Sequence, residues 1–499
     1  MAKSTPKRGK KTGIEPLRKV LAAHGQEHLL AFWDDLDLRQ QDQLREQLSQ
    51  VDWDLIAELI PTHVLTEPTA KLPESIEPPP IGPHEASDEA TRKRYKKARA
   101  TGEKLLRAGK VAAFVVAGGQ GTRLGYDGPK GCLGVSPVMR KSLFSLFAEQ
   151  LLATGRKYGK AVPWYIMTSP ANDKATREYF KANGYFDLDK DDVMFFAQGT
   201  MPAIGLDGKL LLAEKDSLAL SPNGHGGSLT ALSASGALAD MADRGVEVIS
   251  YFQVDNPLVH CVDPLFVGLH QDAKAEMSAK ALPKRDPLEK LGNFCIVDGK
   301  TTVIEYSDMP EDLARATRPD GKLKFSAGSI AIHLFSRTFV ERLTQGGRCS
   351  LPFHRAIKKV PHIDGYGKHI APDQPNAVKL EMFVFDALPL AKKSVILETA
   401  RVEEFSPVKN ATGPDSLNTC LHDQVRRFAA WLEAAGVEVP RDADNEVACA
   451  IEISPLFALD GADLAGKDVA EQPLEPGKPV YLGENPLRRD KRPVEEAVE

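Results

Sequence analysis

Short apolar runs rich in β-branched residues recur through the middle of the chain, each followed by a stretch in which apolar side chains return every three or four residues. Val111–Val116, Val162–Ser169, Val193–Ala197 and Val246–Val254 are runs of the first kind. At this length, with no polar alternation, they predict strands covered on both faces. Arg94–Leu106, Ser142–Lys157, Asp173–Asn183 and Ser228–Arg244 carry the helical period between them. Strand and helix in alternation predict an α/β domain with a mixed, mostly parallel sheet flanked by helices, its ligands beyond the carboxyl ends of the strands. Lys209–Glu214 after the turn pair Asp207-Gly208, Ala275–Leu282, a hairpin over Gly292–Tyr306 turning at Asp298-Gly299, and Phe325–Phe335 read as further strands.

The ends of the chain differ from this middle. From Glu15 to Ile60 the period is helical, with Leu17, Val20, Leu21, Leu29, Leu30 and Trp33 spaced to share faces, and Asp37 with Gln40 placed to cap a helix. Residues 66–85 hold too many prolines for a helix or a central strand and read as an extended connector. The pattern divides the chain into a disordered tail (1–13), a helical region with its connector (14–93), a central domain (94–395) and a C-terminal region with a small module (396–499).

Composition narrows the possible functions. A chain of 499 residues can bury a large core. A net charge of −5 gives no general basic surface, so nucleic acid is not an expected partner. No apolar run approaches the roughly 20 residues of a membrane span, and the basic N-terminus lacks the apolar segment of a secretion signal. The six cysteines form no CxxC pair, which argues against a zinc site or a disulfide framework and for a cytoplasmic protein.

The chemistry gathers after the first strand, in AGGQGTRLGYDGPK. Ala117, Gly118 and Gly119 let backbone N–H groups approach an anion, and Arg123 and Lys130 add positive charge. A P-loop is excluded because Lys130 follows Pro129 and precedes Gly131, and the dinucleotide fingerprint fails at Leu124, which disfavours a nicotinamide-dependent oxidoreductase. A loop around a nucleoside triphosphate remains. Val246–Val254 then delivers Asp255 and Asn256 at its carboxyl end, where a carboxylate suits Mg2+, a hard cation that shares its shell between one or two carboxylates and phosphate oxygens.

The loop resembles that of the eukaryotic-type UDP-sugar pyrophosphorylases, the acetylglucosamine enzymes in particular. The likeness continues through PWYIMTS, FFAQGTMPA, PNGHGG, QVDNPLV, VIEYSD, KLEMFVFD and EEFSPVKN, and so covers most of the chain beyond about residue 100. It implies a Rossmann-like nucleotidyltransferase fold of the GT-A-like kind. It also implies that Gln198 reads the uracil edge, with Gly224 nearby. His225, Asn256, Gly292, Glu305, Ser329 and Phe383 are implied to surround the sugar, with Lys409 on the phosphates and Lys379 a further phosphate candidate. His225, Ser326 and Ser329 depart from the acetylglucosamine pattern, which carries asparagines there, so glucose or several sugars stay open.

The implied reaction joins UTP to a sugar 1-phosphate and gives a UDP-sugar and pyrophosphate. The sugar phosphate is already an anion near neutral pH and needs no side-chain base, so the protein's task is alignment and charge neutralisation. A nucleotide-sugar sensor without catalysis is the alternative from another class. The presence together of Lys130, Asp255 and Lys409 speaks against it.

Overall fold

The computed structural model of the chain describes residues 14–67, 75–467, 469 and 474–483. The predicted N-terminal tail, part of the connector and the charged C-terminal end lie outside them. The chain forms two compact units that alternate along the sequence. One comprises Pro73–Gln198, His225–Leu351 and Val384–Glu499; the other comprises Met1–Leu72, Gly199–Gly224 and Pro352–Phe383.

The larger unit is built on a sheet of ten strands: β1 (Ile76–Glu77), β2 (Val111–Val116), β3 (Trp164–Thr168), β4 (Val193–Ala197), β5 (Val248–Gln253), β6 (Met277–Pro283), β7 (Gly292–Val297), β8 (Lys300–Ile304), β9 (Ala327–Ser336) and β10 (Ser394–Glu398). The main path runs β1-β7-β9-β5-β2-β3-β4, with β8 on β7 and with β6 joining β9 to β10. From β5 to β4 the pairing is parallel, as the apolar runs require, and Val111, Phe114 and Val115 of β2 are fully buried. Beyond β5 the sheet turns antiparallel through β9 and β7. The predicted hairpin is β7–β8, with Asp298 and Gly299 both at positive φ in its two-residue turn. The connector contributes β1, two residues at the sheet edge, as its prolines permit.

Helices Leu143–Tyr158 and Asp173–Ala182 follow β2 and β3, the first capped by the Ser142 hydroxyl. Glu89–Arg107 and Pro264–Ala273 cross at near-backbone contact. A Cβ on Gly102 would stand 1.9 Å from the Pro264 carbonyl oxygen, and one on Gly268 1.6 Å from that of Ala98. The helix predicted over Ser228–Arg244 is two, Gly227–Ala234 and Ala237–Asp243, because Gly236 takes a left-handed conformation (φ +81°) that ends the first. A helix absent from the sequence reading, Leu417–Ala434, is started by a reciprocal cap between Ser416 and Thr419. It packs on the short parallel pair Ile451–Ile453 and Val480–Leu482 to give the C-terminal module its own core. No helix among the described residues is long and apolar enough to cross a membrane.

In the smaller unit, helices Glu15–Ala23, Leu38–Gln50 and Trp53–Leu59 bury Leu21, Leu44, Leu48 and Ile56 against Ile204, Leu210, Val378 and Leu380. The last four come from the second and third segments, whose strands Ile204–Gly205, Ala377–Met382 and Phe353–Lys358 form one small sheet. Asp37 and Gln40 form the predicted capping box.

Candidate active site

The glycine loop starts where β2 ends. Ala117 donates its N–H to Met167 O (2.7 Å), keeping the chain in the sheet for one residue more. The loop then leaves and returns, closed by Gly121 N to Gly128 O (2.9 Å) and Lys130 N to Gly119 O (3.1 Å). Asn172, buried and not singled out in the sequence, fixes the loop from β3's side. Its amide donates to Ala117 O (3.0 Å) and Gly119 O (3.2 Å), and its Oδ1 accepts from Ser169 N (2.8 Å). A Cβ on Gly118 would lie 3.3 Å from Gln198 Oε1, so the predicted base-reading amide stands against the loop at the end of β4. The Lys130 side chain lies over Gly119, Arg123 is exposed, and neither forms an ion pair among the described residues.

On the other side of β2, β5 runs in parallel register, and Val254 N still bonds Val116 O (3.1 Å). Asp255 therefore emerges beside Ala117 at the same edge of the sheet. Because β9 is antiparallel to β5, with Tyr251 opposite His333, its residues 329–332 continue past this edge. Gly292 pairs with Ser329, and the β7–β8 hairpin sets Glu305 next to Gly292, with Oε1 3.4 Å from where a glycine Cβ would lie. Val408 N donates to Asp255 O (2.8 Å) and brings in Lys409.

Together these residues enclose a cavity of about 160 Å³ that is lined by His225, Asp255, Asn256, Gly292, Glu305, Ser329 and Lys409. All seven were singled out in the sequence. Lys290, Ala331 and Phe385 also line it and were not. Ala331 has φ +56°, a conformation that costs an L-residue energy and that no residue pattern announces. His225 accepts from Val384 N through Nδ1 (3.1 Å). Asn256 lines the cavity, yet its amide is committed elsewhere: Nδ2 donates to Glu404 O (2.6 Å) and Oδ1 accepts from Ser406 N (3.1 Å). Behind the wall, burial and then the nearby His225 pull the His333 imidazole down to about 3, so it stays neutral.

Gly224, Lys379 and Phe383 belong to the smaller unit. Gly224 (φ +81°) passes so near Met382 that a Cβ would lie 2.4 Å from its carbonyl oxygen. Lys379 is half-buried on the strand Ala377–Met382, and the Phe383 ring stacks on His354 with centroids 4.4 Å apart.

A side-chain-poor loop, free cations and a carboxylate at one edge of a parallel sheet define a nucleotide-binding transferase site. The chain belongs to the UTP--glucose-1-phosphate uridylyltransferase family, whose model matches residues 64–423. It is a nucleotidyltransferase of the UDP-sugar pyrophosphorylase type. Among its relatives, the UDP-N-acetylhexosamine pyrophosphorylase-like protein 1 of Homo sapiens is 35% identical over 504 residues, covering 95% of this chain and 98% of that one. The UDP-N-acetylglucosamine pyrophosphorylase of Saccharomyces cerevisiae is 35% identical over 443 residues, covering 85% and 92%. The crystal structure of the Trypanosoma brucei uridine diphosphate N-acetylglucosamine pyrophosphorylase in complex with an inhibitor superposes with a TM-score of 0.76 at 26% identity, covering 96% of this chain and 99% of that one.

Proposed function

We propose that the enzyme transfers uridylyl from UTP to N-acetylglucosamine 1-phosphate, releasing pyrophosphate. The observation that carries this reading is the single cavity in which Asp255 and Lys409 meet Gly292, Glu305 and Ser329, one strand from the glycine loop. The names of the relatives support the acetamido sugar.

In this reading Gly118, Gly119 and their neighbours receive the triphosphate, and Arg123 and Lys130 offset its charge. Gln198 holds the uracil edge, since an amide can donate and accept at once. Glu305 accepts hydrogen bonds from sugar hydroxyls, which seats the sugar phosphate for in-line approach to the α-phosphorus. Lys409 offsets charge that builds on the phosphates during transfer. Its exposed ammonium makes no ion pair among the described residues and lies 5.7 Å from the centroid of the Phe405 ring, so on meeting an anion it has no carboxylate to leave.

Asp255 suits Mg2+. Its carboxylate bonds no described residue, and the described residues include no group of three or more His, Cys, Asp or Glu that could hold a metal unaided. A lone carboxylate beside a phosphate site matches an ion that takes most of its shell from substrate and water. When bound, such an ion draws charge from the phosphate oxygens. The same reading puts the enzyme in the cytoplasm, where its free cysteines stay reduced.

Glucose 1-phosphate is the second reading, favoured by Ser329, which presents a hydroxyl to the cavity in place of an amide. Pyrophosphate release from UTP with a panel of sugar 1-phosphates, with Mg2+ and with excess EDTA, tests both. N-acetylglucosamine 1-phosphate should be used fastest, and EDTA should abolish release. No release with any sugar would overturn the proposal.

A further inference from the structure

Lys409 sits on an exposed loop, but the five residues before it, Glu404–Val408, are all buried. Glu404 closes the one-turn helix Arg401–Glu404, and its side chain is among the least exposed carboxylates of the chain at 2%. It accepts from Lys280 Nζ (2.5 Å) on β6 and from Thr399 Oγ1 (2.6 Å) just after β10. Lys280, itself 2% exposed, also bonds Asp263 Oδ2 (2.8 Å). Glu404's backbone carbonyl is taken by Asn256 Nδ2, Asn256 Oδ1 takes Ser406 N, and Asp255 O takes Val408 N. Three links thus tie the segment between the ion pair and Lys409 in place, and all three end on Asp255 or Asn256, just past the end of β5.

A buried ion pair is weak support for stability, because apolar side chains of the same volume would serve as well or better. In some proteins a charged, hydrogen-bonded pair supplies instead one fixed geometry, a role that its directional bonds suit. The backbone that this pair fixes leads directly to Lys409.

We propose that Glu404, held by Lys280 and Thr399, is a positioning residue for Lys409: it sets the distance between the Lys409 ammonium and the Asp255 carboxylate, and with it the rate of uridylyl transfer. The inference rests on the role assigned to Lys409 above. Glu404 does not line the cavity that holds Asp255 and Lys409, and it acts only through the 404–409 segment. Binding of UTP, which falls to the glycine loop, does not depend on it.

A double-mutant cycle tests this with the full-length enzyme, UTP and N-acetylglucosamine 1-phosphate. Glu404→Gln keeps the side chain's shape and leaves Lys280 paired with Asp263, so no charge is stranded in the interior. It should lower kcat about tenfold or more and leave KM for UTP within about twofold. Lys409→Ala should lower kcat further. In the Lys409→Ala background, Glu404→Gln should then change kcat by less than about twofold, since the group it positions is gone. A purely structural role would instead make the two losses multiply and would overturn the proposal. A slow Lys409→Ala beside a normal Glu404→Gln overturns the positioning role alone, whereas a Lys409→Ala enzyme of full activity overturns the role of Lys409 and the proposal with it. If Glu404→Gln does not fold, Thr399→Val, which removes only the 2.6 Å bond to Glu404, takes its place in the cycle under the same criteria, with a fall of at least about threefold expected.

Discussion

Ser329 faces the cavity proposed for the sugar from β9, directly across from Gly292, and brings a hydroxyl but no amide to it. Ser329→Asn adds both a donor and an acceptor there. One well-placed hydrogen bond to a neutral group contributes about 1 kcal/mol, so the variant should raise the preference for N-acetylglucosamine 1-phosphate over glucose 1-phosphate by roughly five- to tenfold in kcat/KM. An unchanged ratio would mean that the sugar's 2-substituent does not reach Ser329. At this scale the end of an apolar run pointed to Asp255 and the family resemblance to Glu305, and both line the cavity. The sequence was silent on Asn172, whose bonds reach back 53 and 55 positions to the loop, and on Glu404, whose partner Lys280 lies 124 positions away. The family resemblance named Asn256 for the sugar. The backbone that takes up its amide comes 148 and 150 residues later, which no local pattern could reveal.

Elements were legible where one period held throughout. β2 and β4 have the predicted bounds, and the capping box at Asp37 and the turn at Asp298-Gly299 are local chemistry read correctly from adjacent residues. The long helix Leu417–Ala434 carried comparable signals, a Ser–Thr cap and apolar residues at helical spacing, and went unread; the break at Gly236 was hidden inside a continuous period. The crossing of Glu89–Arg107 and Pro264–Ala273 left only two glycines as its trace. Gly268→Ala would force a methyl group into the Ala98 carbonyl and push the helices apart, at a cost of about 3 kcal/mol in stability. The urea unfolding midpoint measures this. Gly365→Ala, where φ is not left-handed and a Cβ would meet nothing within 4 Å, shares the loss of a glycine; it is the comparison and should cost less.

For the molecule as a whole, buried histidines tie stability to pH. Burial holds the His270 imidazole down at about 4, where its ring nitrogens bond Ser278 Oγ (2.8 Å) and Ser336 Oγ (3.1 Å). Unfolded, the same ring takes up a proton near pH 6.5. Its contribution is therefore complete above pH 6.5 and is lost as pH falls toward 4, on the order of 3 kcal/mol across that window. Urea unfolding at pH 7.5 and 5.0 should show the loss, and His270→Gln should flatten it; equal slopes in both proteins would refute the assignment. The α/β class and the sheet's parallel half could be read from the sequence at this scale. The make-up of the smaller unit could not, since Leu21, Leu44 and Ile56 find Ile204, Leu210 and Val378 only through contacts that periodicity does not encode. That arrangement has a consequence for synthesis in the cell. Leu59 leaves the ribosome about 320 residues before Leu380, its partner in the same core, and at roughly 5–20 residues per second this is a wait of roughly 15–65 s. Ile204 and Leu210 follow earlier but supply only part of that core, so for the interval the first helices of the nascent chain carry incompletely covered apolar faces, and the yield of active enzyme should depend on how well chaperones shield them until the strand Ala377–Met382 is made.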